Sequence, residues 1–473
     1  MMILIAILAY FLLLFAVSHV TGRRATNVTF YRADRRSPWY MVAFGMVGAS
    51  ISGITFVSVP GMVEYSQMTY LQTCMGFILG YVLVAFVLLP LYYRLNLTSI
   101  YTWLGQRLGH RSYQTGAWFF LLSKMTGAAV RFFVVCIILQ RFVFTPLHVP
   151  FAVTVLLLVL LIWLYTRRGG IKTLVWTDSL QTICLFTALI WIMCRVTADL
   201  DLSLGDAASA ISQSSLSRVF VWDDWQSTRL FWKQFLSGVF IVIVMTGLDQ
   251  DMMQKNLTCR TLQGAQKDMC SYGVAFLPAN LLFLSLGVLL VMWYQRQGMP
   301  LPAAADDLLP RYVEMASPFI SLVFVLGIVA ASFSSADSAL TALTTIFCVD
   351  ICRREGDELL RRRAHIGICG VFVLFILLFR AVNSASLIDA IYIICGYTYG
   401  PLLGLFAYGL LTRRPVCDTL VPYIAVLSPL LCFALDWAVG RWYGYHFGYE
   451  LLMLNGLLTF VGLWVSPMVA KCR

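Results

Sequence analysis

The chain has 473 residues, of which 60% are apolar and only 12% charged, with a net charge of +11. Soluble domains carry about 45–50% apolar and about 25% charged residues, so a soluble enzyme, a disordered chain and a fibrous protein are excluded. A helix crosses a bilayer with about 20 apolar residues, and this length has room for about a dozen crossings.

The opening run MMILIAILAYFLLLFAVSHV lacks a basic start and a small-x-small cleavage site, and reads as a retained helix. With it, thirteen apolar segments are predicted, at 1–21, 39–61, 69–93, 114–142, 149–166, 171–195, 231–250, 269–293, 316–349, 365–383, 387–412, 419–438 and 448–467. Lys and Arg gather in alternate connections: Arg23 to Arg36, Arg94 to Arg111, Arg167 to Lys172, Lys255 to Lys267, Arg353 to Arg363, Arg413 with Arg414, and Lys471 with Arg473. The excess of positive charge marks the cytoplasmic side. It predicts an outside N-terminus and a cytoplasmic C-terminus, in a bacterial inner membrane, and explains the net charge without nucleic acid. Lys124 and Arg131 belong to neither side and fall within the fourth segment. Neither of the longest outside loops, 196–230 and 294–315, suffices for a folded domain, so the chain reads as one membrane domain. Its Cys lie mostly in apolar stretches, no C-x-x-C occurs, and the five His sit near segment ends. This gives no spacing for a structural metal or haem.

Polar groups and helix breakers inside hydrocarbon cost free energy unless something satisfies them. The second segment, GMVGASISGITFVSVPGM from Gly45 to Met62, concentrates Gly45, Gly48, Gly53 and Gly61 with Ser50, Ser52, Thr55, Ser58 and Pro60. Small residues there serve either close helix packing or a discontinuous helix whose freed carbonyls coordinate a cation. The fourth segment holds Lys124, which can snorkel inward, and mid-segment Arg131, which pairs with an internal carboxylate or faces a solute. The sixth segment carries Asp178 within GGIKTLVWTDSLQ, and the ninth carries Asp337 within AASFSSADSALTALTT. There Ser334, Ser338, Thr341 and Thr345 share one face. Hydroxyls on such a face either bond neighbouring helices or, with the carboxylates, form an oxygen-lined site for a hard cation or a proton. Two carboxylates at one site repel, and an occupant relieves that repulsion. Asp178 and Asp337 are therefore expected to share one cation, unless Lys124 neutralises them. The eleventh segment, IDAIYIICGYTYGPLLGLFAYGLL, is Gly-rich.

At these residues the chain resembles the sodium:solute symporter family, whose fold is LeuT-like. GASISGITFVSVPG, GGIKTLVWTDSLQ, DQDMMQK after the seventh segment, AASFSSADSAL with TTIFCVDI, and the Gly-rich GYTYGPLLGLFAYGLL occur in the family's order. The resemblance implies an all-α integral membrane protein of thirteen helices: an extra N-terminal helix and basic loop (1–38), inverted repeats at 39–230 and 231–412, and peripheral helices at 413–473. It implies a symporter, not an enzyme, in which inward sodium flow drives uptake of a small polar organic solute by alternating access. Proton coupling through Asp178 and Asp337 is one alternative, and a non-transporting solute sensor another. No organic cofactor and no obligate protein partner are expected, beyond the lipid bilayer.

Matched residue by residue, the main sodium site falls on the carbonyls of Gly48, Ile51 and Ala331 and the side chains of Ser334 and Ser335. A second site falls on Asp178, Asp337 and Ser338, with Asp337 standing where the sialic acid branch carries a serine. Solute candidates are Ser50, Ser52, Thr55, Tyr70, Gln72, Arg131 and Tyr392. That branch's glutamine aligns with Cys74 and its arginine with Ala128, so the resemblance does not extend to the solute. One charge crossing 100 mV gains about 2.3 kcal/mol, and a tenfold gradient about 1.4 kcal/mol.

Overall fold

The computed structural model describes residues 2–22, 37–95, 97, 99–382 and 387–469. The basic stretch at 23–36 and residues 470–473, part of the charge argument for orientation, lie outside them. Among the described residues regular structure is helical, with one isolated bridge between Ser37 and Cys259. The main helices are α1 (Met2–Gly22), α2 (Trp39–Ser50), α3 (Gly53–Ser66), α4 (Tyr70–Leu83), α5 (His110–Leu139), α6 (Phe151–Asp199), α7 (Phe231–Val242), α8 (Gln250–Asn256), α9 (Leu262–Arg296), α10 (Pro318–Ile346), α11 (Glu358–Val382), α12 (Leu387–Leu411), α13 (Val421–Tyr443) and α14 (Leu451–Val469).

Among the described residues ten helices are long and apolar enough to cross a membrane, and up to 12 spans result if two bent pairs each count as one. The protein is therefore a multi-pass membrane protein. The expected count of thirteen differs because the fifth and sixth predicted segments both lie within α6. Its stretch Thr173–Asp199 is long enough to span, whereas Phe151–Arg167 is a shorter apolar helix.

The two bent pairs fall where the sequence loses its helical character. Between α2 and α3 the chain bends by 59°, with Ile51 and Ser52 in extended conformations. Between α7 and α8 the bend is 70°. Here a π-turn over Ile243–Gly247 leads to extended Asp249, whose carboxylate accepts from the Asp251 and Met252 amides and caps α8. Such a cap satisfies donors that a helix start otherwise leaves bare.

Helix α10 lies at the centre, with every residue from Gly327 to Thr345 buried. Its hydroxyls survive burial by bonding back one turn: Thr341 to the Asp337 carbonyl, Thr344 to Leu340 and Thr345 to Thr341. Helix α2 approaches α6 at Gly48, where an added Cβ would lie 1.9 Å from Thr182 Oγ1 and 3.0 Å from its Cα. Gly48→Ala is expected to force the two helices apart and cost about 1–3 kcal/mol, read as a lowered Tm in detergent. Thr182→Ala in the same chain should recover part of the loss, because the two sites are coupled. An unchanged Tm in Gly48→Ala would contradict this close approach.

Candidate functional site

Six of the seven solute candidates line one cavity. The first break supplies Ser50, Ser52 and Thr55, α4 supplies Tyr70, α5 supplies Arg131 and α12 supplies Tyr392. The Tyr70 and Tyr392 hydroxyls meet at 2.8 Å. Ser50 bonds the Tyr272 hydroxyl, which accepts from Tyr81 at 2.7 Å. Gln72 is the exception. Its amide donates to the Arg229 carbonyl at 3.0 Å and accepts from the Val221 amide at 3.2 Å, so it fastens the loop before α7 to α4 and does not line the cavity.

Arg131 is partly buried and lines the cavity. Among the described residues it makes no ion pair, unlike its neighbour Lys124, seven residues earlier on α5. Lys124 is held by Asp249 at 3.1 Å and Asp251 at 2.7 Å. This corrects the pairing of Lys124 with Asp178 and Asp337 that the sequence left open. The break before α8 turns two carboxylates inward, and these meet the ammonium first.

Lys255 departs furthest from expectation. Grouped by sequence with the cytoplasmic connections, its side chain is 1% exposed and lies 2.8 Å from Asp178 Oδ2. Asp251 Oδ1 is 3.9 Å away on its other side. The other Asp178 oxygen, Oδ1, accepts from Ser334 at 2.7 Å. Asp178, Lys255, Asp251, Lys124 and Asp249 thus form a buried row of alternating charge. It ends where Tyr399 donates to Asp249 Oδ2 at 2.7 Å. Asp337 lies off this row and accepts from Tyr165 at 2.6 Å and Ser338 at 3.2 Å.

The two breaks differ in how their freed carbonyls are satisfied. At the second, the Gly247 carbonyl accepts from Tyr92 at 3.0 Å and the Leu248 carbonyl from Tyr101 at 2.6 Å. At the first, no hydrogen bond to the Gly48 or Ile51 carbonyl is found among the described residues. Helix α10 faces this break: a Cβ on Gly53 would lie 2.2 Å from Ser332 Oγ, and that buried hydroxyl has no hydrogen-bond partner. Ser334 gives its proton to Asp178, and Ser335 gives its own to the Ser332 carbonyl at 3.0 Å. With their protons so engaged, both hydroxyls keep lone pairs for a cation.

Sequence reasoning missed Ser332, Tyr165, Asp249, Asp251 and the burial of Lys255. The last three lie in DQDMMQK, a run noted for its resemblance and then left outside the membrane because it is polar.

The sequence profile of the sodium:solute symporter family matches residues 30–416. A sodium/sialic acid symporter of Aliivibrio fischeri is 25% identical over 446 residues, which cover 90% of this chain and 86% of that protein. A sodium/sialic acid symporter of Proteus mirabilis is 24% identical over 434 residues, covering 87% and 85%. The structure of a sodium-coupled sialic acid symporter, substrate-bound and outward-open, superposes with a TM-score of 0.84 at 20% identity, over 99% of this chain and 98% of that one. That likeness shows a shared fold.

Proposed function

The chain belongs to the sodium:solute symporter family, and on that premise we propose that it uses inward sodium flow to take up a small polar organic solute bearing a carboxylate. The observation that carries this reading is Arg131, a cation without an ion-pair partner among the described residues, in a cavity whose other charged groups, Lys124 and Asp249, are paired with each other. A guanidinium matches a carboxylate in two-point geometry. Ser50, Ser52 and Thr55 offer hydrogen bonds to polar groups elsewhere on the solute, and Tyr70 with Tyr392 closes one wall. The similar symporters are themselves named for an acid.

In this reading sodium binds at the first break, between the Gly48, Ile51 and Ala331 carbonyls and the Ser334 and Ser335 hydroxyls. The unbonded carbonyls and the unpartnered Ser332 hydroxyl support that placement. The bent pairs open two repeats, 39–230 and 231–412, between an N-terminal helix and two peripheral helices. The protein sits in a bacterial inner membrane with its N-terminus outside.

The test begins with thermal stability of the purified protein against neutral sugars, sugar acids, amino acids and simple carboxylates, with and without sodium. Acids should stabilise it in sodium and not in potassium. Stabilisation by neutral sugars alone would sink the carboxylate assignment. With a labelled solute from that screen in proteoliposomes, Arg131→Ala should raise the half-saturation constant about 10- to 100-fold, the effect of losing a hydrogen bond to a charged group. Its Tm should remain near wild type. A large loss of folded protein would instead make Arg131 a structural cation.

A further inference from the structure

We infer that Lys255 is a tethered cation standing where a second coupling ion would bind, so that this protein binds one sodium ion where its carboxylates suggest two. The inference rests on the sodium-coupled reading above.

A sodium ion is held by oxygen atoms at close range, with carboxylates supplying the charge. Asp178 reaches the Ser334–Ser338 face by accepting from Ser334 at Oδ1, at 2.7 Å, and its Oδ2 lies 2.8 Å from the Lys255 ammonium. An ion on Asp178 would stand almost against that ammonium, in a buried place where like charges are poorly screened. Lys255 cannot withdraw to solvent, since its side chain is 1% exposed, and Asp251 at 3.9 Å adds a second carboxylate that holds the ammonium inside. Asp337 stands apart from this ion pair and accepts from Tyr165 and Ser338.

The charges agree. The carboxylates of Asp178, Asp249 and Asp251 meet the ammoniums of Lys124 and Lys255, Asp337 is buried off this row, and Arg131 lines the cavity that Lys124 and Asp249 also line. Before a solute binds, four negative groups and three positive ones leave one negative charge. One sodium ion neutralises it, and a second would leave an uncompensated positive charge in the protein interior. An ammonium fixed to the chain also carries nothing across, so Lys255 supplies the charge of an ion without its gradient.

The experiment is equilibrium binding of radioactive sodium to the purified full-length protein, which requires no knowledge of the solute. One ion per chain with a non-cooperative isotherm is the expected result. Two ions per chain would overturn the inference and leave sodium coupling standing, whereas no bound sodium would overturn the coupling reading itself and this inference with it. Lys255→Ala should raise the count from one to two by freeing Asp178, and Lys255→Arg should keep it at one. A folded Lys255→Ala protein that still binds one ion would show that Lys255 does not stand in for an ion. If Lys255→Ala yields no folded protein, the wild-type count decides alone.

Discussion

Lys124→Met is expected to leave little folded protein. Lys124 bridges Asp249 and Asp251 with its side chain only 6% exposed. Removing it leaves Asp249 with no cation beside it and Asp251 facing only Lys255, at 3.9 Å. Breaking a buried pair by removing one partner costs about 3–5 kcal/mol, a large share of the 5–15 kcal/mol that ordinarily holds a domain together. The readout is the monodisperse yield in detergent and the Tm of what survives. Adding Asp249→Asn and Asp251→Asn should restore much of the loss. Asparagine keeps the cap on α8, since it accepts amide hydrogen bonds as aspartate does, and the triple variant leaves Lys255 paired with Asp178 and no other charge in the row. Wild-type yield and Tm in Lys124→Met alone would contradict the charge row.

Ser334→Ala combined with Ser335→Ala is expected to abolish sodium-driven uptake. Each hydroxyl lost from a cation is worth about 1.5–3 kcal/mol, so the pair should weaken sodium binding by at least about 100-fold. At sodium levels that saturate the wild type, uptake should fall to that of protein-free liposomes. Ser335→Ala alone isolates ion binding, because Ser335 touches only the Ser332 carbonyl. Ser334→Ala also strips a donor from Asp178 and should lower the Tm as well. Unchanged sodium dependence in the double variant would remove the first break as the ion site.

The sequence made the membrane architecture legible because apolar length is a strong local signal, and it located the first break because Gly, Ser and Pro crowd there. Of the solute candidates named after the family resemblance, Ser50, Ser52, Thr55, Tyr70, Arg131 and Tyr392 line one cavity, from four separate stretches. The same reasoning failed at α8. Hydropathy reads DQDMMQK as water-facing, yet all seven of its residues are buried. Their charges are met by Lys124 and Asp178, which lie far away in sequence, and no local pattern records such a pairing. Gln72 misled for the opposite reason: a polar residue in an apolar run drew attention as a ligand when its partners were backbone groups of a distant loop.

The start of α5 is finished by a residue from far along the chain. Asp418 accepts from the Arg111 amide at 2.8 Å, and from the Ser112 amide at 2.7 Å and hydroxyl at 2.6 Å. Gly109 makes room for it: its φ of +138° suits no other residue well, and a Cβ there would lie 2.5 Å from the Asp418 carboxyl carbon. The match to the family ends at 416, two residues short of that carboxylate. A minimal version of this transporter trimmed to the conserved boundary would fray the helix that presents Lys124 and Arg131. The practical edge of the working unit therefore lies beyond the edge that homology draws.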